Sequence, residues 1–318
     1  MISKQNLYIV LNPIAGHSNP EKLQETIKEF CKRLEWEFEV YLTTGEEEED
    51  VAGITQDATE KGATIVVAAG GDGTVAGVIN GLVHRDIPLA ILPAGTGNGL
   101  ARAMRIPLDQ EKAMNLIAED FKIQTLDVMR VKDHFYVLNV SAGISSKAME
   151  ETLPEDKQRF GMIAYAQTIL KDVMEIKPVM FSLTLDGLHV QVKATEVLIA
   201  NGQFLKGPPF LFGPRDKFND GTLEVNILTA EKPTDYVALA WDLLQGPDQD
   251  KSELHDLRIR ESITIETPGG TQSVQADGEL IGETPVEIHL VRNALKVLVP
   301  PDRPEENQSE TQGITSVG

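Results

Sequence analysis

The sequence predicts an α/β protein in two parts, an N-terminal doubly wound parallel sheet followed by an antiparallel β-sandwich. Three observations predict it. Short apolar runs alternate with helix-spaced segments through the first third of the chain, glycine-rich turns follow two of those runs, and from about Leu126 longer runs of alternating residues take over.

Taken in order, residues 7–11 read as an apolar strand. Leu23, Ile27, Phe30 and Leu34 recur at helical spacing and predict a helix over 21–34, and 38–42 is a second strand. The acidic run 46–50 is expected to open a helix reaching about Lys61, because carboxylates are favoured at the positive end of the helix dipole. Residues 63–69 are so continuously apolar that both faces of that strand need cover. A glycine turn, a helix over 74–83, a strand over 87–92, a second glycine turn and a helix over 97–104 complete the first grammar. Strand runs then span 127–140, 179–185, 189–200, 222–228, 257–266, 273–280 and 286–299, with helices at 160–174 and 234–244. The expected boundaries follow: residues 1–126 form the first unit, completed by about 292–302. Residues 127–300 form the second, and the polar, acidic stretch 301–318 is a disordered tail.

A chain of 318 residues with 41% hydrophobic residues suffices for two packed cores. The net charge of −20 argues against broad nucleic-acid binding, which draws on Lys and Arg clusters. It also opposes an anionic membrane, so any membrane contact is expected to be transient and peripheral. Cys31 is the single cysteine, which excludes an internal disulfide and a zinc site of ordinary spacing and suits a reducing cytoplasm. The first 13 residues lack the features of a signal peptide, and apolar runs such as 65–69 and 89–93 fall far short of the roughly 20 residues of a membrane span. The sequence leaves oligomerisation open.

The chemistry concentrates in the two glycine turns, Gly70, Gly71, Asp72, Gly73, Thr74 and Gly95, Thr96, Gly97, Asn98, Gly99. In a parallel sheet, ligands collect at the carboxyl ends of the strands, where glycines let backbone amides approach phosphate oxygens. Two adjacent turns of this kind suit a polyphosphate; glycine alone also serves a tight strand-to-helix turn. Gly71, Gly73 and Ala76 satisfy the dinucleotide pattern G-x-G-x-x-A. The intervening Asp72 is repulsive to a bare pyrophosphate, and Ile91 and Leu92 stand about 20 residues on, where a ribose-binding acid belongs. A Mg-nucleotide explains Asp72 better than NAD does. Standing in a turn, Asp72 is expected to contribute little to packing, so its replacement should spare the fold.

Asn12, Pro13 and Gly16 in NPIAG, then GGDGTVAGVINGL, then LPAGTGNGLAR, resemble the three successive motifs of the diacylglycerol kinase catalytic-domain family, which includes bacterial lipid kinases and long-chain-base kinases. Leu126, Asp127 and Val128 resemble the start of that family's second domain, and Phe160, Gly161 and Tyr165 its R-x-G-x-x-x-Y helix. Asn219, Asp220 and Gly221 resemble its DDG-like loop, and Asp277, Gly278 and Glu279 its DGE motif. The resemblance spans roughly residues 6–300. It implies an NAD kinase-like architecture with a nucleotide cleft between the domains, and transfer of phosphate from ATP to a hydroxyl of diacylglycerol or a related lipid such as a sphingoid base. It places the chain in lipid metabolism and phospholipid biosynthesis, in the cytoplasm with transient membrane association. Asn12, Pro13, Gly16, Thr43, Gly70, Gly71, Asp72, Gly73, Thr74, Val75, Ala76, Thr96 and Asn98 would line the ATP site, with Asp72 nearest the phosphates and their Mg²⁺. Glu279 would be the general base with Asp277 beside it, and Asp72 is the other residue read in that role. Asp220 would hold a structural Mg²⁺ assisted by carbonyls near Lys217 and Thr222. From the residues alone, Asp277-Gly278 also reads as a hairpin turn with solvated acids, and Asn-Asp-Gly as an ordinary turn.

Two positions depart from the family pattern, Gly77 and Gly99, each where relatives commonly carry an acid. Loss of two carboxylates bears on Mg²⁺ organisation and acceptor choice. It keeps open a catalytically weak nucleotide-binding regulator, and the GGDGT signature, which NAD kinases share together with the two-domain plan, keeps open a kinase of a soluble acceptor. Phe204, Leu205, Phe210, Leu211 and Phe212 crowd a Gly- and Pro-rich loop that reads either as an apolar lip for an acyl chain or as a segment packed on the sandwich.

Overall fold

The computed structural model describes residues 4–15, 20–46, 49–119, 121–144, 146, 178–202, 218–229 and 254–301. The expected helices at 160–174 and 234–244, the loop at 204–212 and the tail beyond 301 lie outside the described residues.

The first half is doubly wound. Strands β1 (Asn6–Leu11), β2 (Glu37–Leu42), β3 (Ile65–Gly70) and β4 (Leu89–Pro93) pair in parallel in the order β2-β1-β3-β4. Their side chains alternate between two cores, as the strand period requires. Leu7, Ile9 and Leu11 pack with α1 (Pro20–Arg33) and α5 (Gln110–Glu119). Tyr8 and Val10 face the cluster that holds α2 (Val51–Glu60), α3 (Asp72–Leu82) and α4 (Gly99–Ala103). The acidic run does not open α2. Its last residue, Asp50, is the N-cap and accepts the Gly53 amide at 2.8 Å, while Glu49 accepts the amides of Thr44 and Gly45 and the Tyr41 hydroxyl. Those carboxylates close a loop and a cap, positions where short polar side chains compete best with helix. The helix α5 has no counterpart in the sequence reading.

The second half is a sandwich. One layer is a six-stranded antiparallel sheet in the order β12-β11-β10-β7-β14-β15. It is built from β7 (Asn139–Gly143), β10 (Glu196–Ala200), β11 (Leu223–Leu228), β12 (Leu254–Ile259), β14 (Ser273–Ala276) and β15 (Glu279–Glu283). The other layer continues the first sheet. There β16 (Val286–Val299) pairs in parallel with β4 and antiparallel with β5 (Lys122–Val131) and β13 (Ser262–Glu266), and β8 (Val179–Leu185) and β9 (Leu188–Ala194) extend it. Phe181, Leu183, Ile263, Ile265 and Ile288 of this layer meet Val140, Val197, Ile199, Val225 and Val274 of the other. Three expected runs are each divided between layers: 127–140 into β5, β6 (His134–Tyr136) and β7, 189–200 into β9 and β10, and 257–266 into β12 and β13.

The long strand β16 joins the halves. Its pairing with β5 slips between Val291 and Leu295, with Asn293 at φ 51°, and this bulge bends the strand from the sandwich into the parallel sheet. The buried Asp127 fixes the bend, accepting the amides of Asn293 at 2.7 Å and Gly221 at 2.9 Å.

Candidate active site

Both glycine turns leave the same edge of the parallel sheet, after β3 and after β4, and they touch. A Cβ added to Gly95 would stand 2.6 Å from the Gly71 Cα, and one on Gly97 would stand 2.5 Å from the Asp72 Oδ2. These glycines therefore permit turn-on-turn contact. Asp72 then ties the turns together, its Oδ2 accepting the Asn98 amide at 2.9 Å and its Oδ1 the Gly99 amide at 2.7 Å. Asn98 holds a left-handed conformation, φ 51°, and closes its own turn by exchanging hydrogen bonds with the backbone of Gly95. Asp72 is therefore more than a solvated turn residue: its carboxylate links the two turns.

The N-cap of α3 is Gly71, which brings no side-chain hydrogen bond, so the first-turn amides beginning at Asp72 and Gly73 keep the donor character that receives an anion. Thr74 and Val75 are buried beneath this turn and Ala76 is half-buried, while Gly73 and Thr96 are exposed at its rim. At the end of the neighbouring strand Asn12 folds back on itself, accepting the Ile14 amide at 3.0 Å around Pro13. Gly16 lies outside the described residues. Thr43, 5% exposed, has a hydroxyl with no hydrogen-bond partner among the described residues. An orphaned buried hydroxyl just past β2, at the same end of the sheet as the glycine turns and two strands from β3, is compatible with a polar ligand such as the nucleotide named above.

The sandwich contributes the opposite wall. The turn between β14 and β15 is the two-residue Asp277-Gly278, with φ of 47° and 93°, the pair of positive values that a tight hairpin of matching twist demands. Its acids are not both solvated. The Asp277 carboxylate turns inward and accepts the amides of Val137 at 2.8 Å, Leu138 at 2.9 Å and Asn139 at 2.8 Å. Burial outweighs those three bonds and pushes this carboxyl up to about 6, with the charge of Asp72 adding to the rise. Glu279 is exposed and points the other way. A Cβ on Gly73 would lie 3.3 Å from the Glu279 Oε1, so the acid at the head of β15 reaches the first glycine turn across the cleft.

Tyr136 was not anticipated from the sequence. It is half-buried, and burial, then the charges of Glu279 and Asp277, push its phenol up to about 12. The one available signal was its place two residues after His134, within a run misread as one long strand.

The two departures from the family pattern are filled by packing. A Cβ on Gly77 would meet Val51 Cβ and Cγ1 at 2.8 Å, and one on Gly99 would meet Leu138 Cδ1 at 2.9 Å. Asp220 stands apart from the cleft acids. Its Oδ1 accepts the Thr222 amide at 3.1 Å and hydroxyl at 2.6 Å, beside a cavity of about 350 Å³ lined by Asp127, Asn219, Arg260, Arg292 and Asn293. Both Asp127 oxygens are engaged by backbone amides and two guanidinium groups face the same space, so the described residues do not by themselves form a shell for a cation. Lys217 lies outside the described residues.

Comparisons with known proteins agree with the two-part fold. Residues 6–131 match the diacylglycerol kinase catalytic domain, and residues 138–299 match the YegS C-terminal NAD kinase beta sandwich-like domain. A diacylglycerol kinase of Mycobacterium tuberculosis is 27% identical over 293 residues, covering 91% of this chain and 93% of its own length. An uncharacterized Synechocystis protein is 28% identical over 313 residues, covering 92% of this chain and 70% of its own. The crystal structure of a diacylglycerol kinase from Bacillus anthracis shares the fold, with a TM-score of 0.76 at 22% identity over 95% of this chain and 99% of that one. With both domain matches in chain order, the chain belongs to the bacterial diacylglycerol kinase and YegS-like lipid kinase family.

Proposed function

We propose that this protein transfers the γ-phosphate of Mg-ATP to a hydroxyl of diacylglycerol or a related lipid alcohol. The observation that carries the reading is the approach of Glu279 to Gly73, which brings a sandwich carboxylate to the helix N-terminus where the phosphates would lie. The residues at 12–13, 43, 70–76 and 96–98 bind and orient the nucleotide, and Asp72 keeps their two turns in register. Mg²⁺ accompanies ATP as part of the substrate and neutralises phosphate charge. The acceptor oxygen bonds to the γ-phosphorus as the bond to the β–γ bridging oxygen breaks. The electron pair leaves with ADP, and the hydroxyl proton passes to the Glu279 carboxylate. Asp277 acts differently from Glu279 in this reading: with its oxygens committed to three amides, it holds the hairpin rather than meeting the acceptor.

A second reading, a nucleotide-binding protein of weak activity, is favoured by one observation. Val51 and Leu138 occupy the space that acids at 77 and 99 would need. One experiment separates the two. ATP binding is measured by calorimetry beside phosphotransfer to micelles of diacylglycerol or a sphingoid base, and to soluble NAD, for the wild type and Glu279→Gln. The lipid-kinase reading expects turnover on a lipid, lost by roughly a hundredfold or more in the variant while nucleotide affinity persists. Binding without turnover on any acceptor would establish the regulator, and turnover on NAD alone the soluble-acceptor kinase.

A further inference from the structure

A short piece of chain joins the two layers of the sandwich. Residues 135–139 form the corner where the chain leaves β6 in one layer and enters β7 in the other. Two side chains grip this corner from opposite sides. From the sandwich, Asp277 accepts the amides of Val137, Leu138 and Asn139, and its own amide donates to the Asn139 carbonyl at 3.0 Å. From the α/β half, Asn80 on α3 pairs with the backbone of Phe135 in both directions. Its Oδ1 accepts the Phe135 amide at 2.8 Å and its Nδ2 donates to the Phe135 carbonyl at 3.1 Å.

A bidentate side-chain amide on a strand backbone fixes both distance and orientation, as a strand partner does. Asn80 is itself fixed, because its Nδ2 also donates to the Ala76 carbonyl one turn back at 2.9 Å. The His84 ring packs edge-on against Phe135 at 5.9 Å and limits rotation of the corner. The helix that carries Asn80 begins at Asp72 and Gly73, and the hairpin that carries Asp277 continues into Glu279. A closed loop of contacts results: glycine turn, α3, Asn80, corner, Asp277, Glu279, and back to Gly73.

We propose that Asn80 is a positioning residue for phosphoryl transfer, setting through the 135–139 corner how closely Glu279 approaches the glycine turn. The inference rests on the reading of Glu279 as the general base. Asn80 touches neither nucleotide nor acceptor in this scheme. Its loss is felt in the rate of the bound complex, where an ångström of misplacement is costly, and not in nucleotide affinity.

The test is a double-mutant cycle on the full chain with Asn80→Ala, Glu279→Gln and the pair. It reads kcat on lipid micelles, ATP affinity by calorimetry and the melting temperature. Asn80→Ala should lower kcat by roughly ten- to a hundredfold with ATP affinity within about twofold of wild type. In the Glu279→Gln background the same change should cost almost nothing further, because the group it positions is already disabled. Losses that multiply in the double variant would overturn the inference, as would Asn80→Ala turning over like the wild type. If Glu279→Gln alone keeps full turnover, the base reading fails and the proposal with it, an outcome distinct from an active Asn80→Ala beside an inactive Glu279→Gln. Should Asn80→Ala not fold, Asn80→Asp retains the acceptor for the Phe135 amide and loses the donor, and is expected to show the same kcat-only defect.

Discussion

The two halves of the molecule use one device to different ends. In the α/β half, Asp72 spends both carboxylate oxygens on the amides of a neighbouring turn, and it does so at the mouth of the cleft. In the sandwich half, Asp277 spends both of its oxygens on three amides of a neighbouring corner, and the residue facing the cleft is Glu279, two positions on. Each acid braces a neighbouring piece of chain, one between two turns and the other between a hairpin and a corner. The comparison teaches that an acid in a motif is identified by what its oxygens already hold. A carboxylate saturated by backbone amides orients chain, as Asp277 does for residues 137–139.

The largest effect should come from removing the sandwich brace. Asp277→Ala strands three amides at buried residues, and its unfolding free energy, measured in urea, should fall by about 3–5 kcal/mol. The pH dependence sharpens this. Because burial raises the folded-state carboxyl from 3.8 to about 6, the folded protein holds the proton more tightly than the unfolded chain. That contribution is fully present below the unfolded value and is lost as pH rises through about 6, by at most about 3 kcal/mol. Asp277→Asn removes the titration, so the stability difference between wild type and this variant should change between about pH 4 and 6 and stay level on either side. A difference that does not vary with pH would mean that the three amides cancel the effect of burial on this carboxyl.

Much of this was legible in the residues, and what was not has a physical cause. The parallel half reads best where a continuous apolar run is closed by glycine, so β3 and β4 with their turns sit where residues 63–69 and 87–92 indicate. The sandwich reads less well because alternation survives a corner. From Asp127 to Val140 the period of two continues while the chain changes layers, so β5, β6 and β7 merge into one run. The motif acids were findable by type, yet their division of labour was not. Sequence holds no record of which way a hairpin acid turns, and the partners of Asp277 are about 140 positions away. Asn80 was hidden for the same reason, since an Asn in a helix gains meaning only through Phe135.

A further contrast lies within the first half, between Gly77 and Gly99. At Gly77 a methyl group would meet the Cβ of Val51, which cannot swing away, because a β-branched side chain is held at χ1 and α2 is packed along α3. Gly77→Ala should therefore destabilise by about 1–3 kcal/mol despite the better helix propensity of alanine. Val51→Ala in the same chain should return most of that loss. Thermal unfolding of the single and double variants checks this, and a neutral Gly77→Ala would mean that α2 yields to let the side chain in.

At Gly99 the obstacle is of another kind, and the smallest effect is expected there. The atom a new Cβ would meet at 2.9 Å is Cδ1 of Leu138, the far end of a side chain that reaches a neighbouring rotamer by rotation about χ2. The next contact, Asp72 Oδ1 at 3.6 Å, is ordinary van der Waals distance, and the Gly99 amide that Asp72 accepts is retained in any substitution but proline. The backbone at Gly99 is helical rather than left-handed, so alanine meets no penalty in φ and gains up to about 1 kcal/mol over glycine in helix propensity. Repacking Leu138 costs a similar amount, and the two nearly cancel. Gly99→Ala is thus expected to melt within a few degrees of wild type, with its ATP affinity unchanged. A fall as large as that of Gly77→Ala would show that the corner gripped by Asp277 also immobilises the Leu138 side chain, making it as stiff a neighbour as Val51.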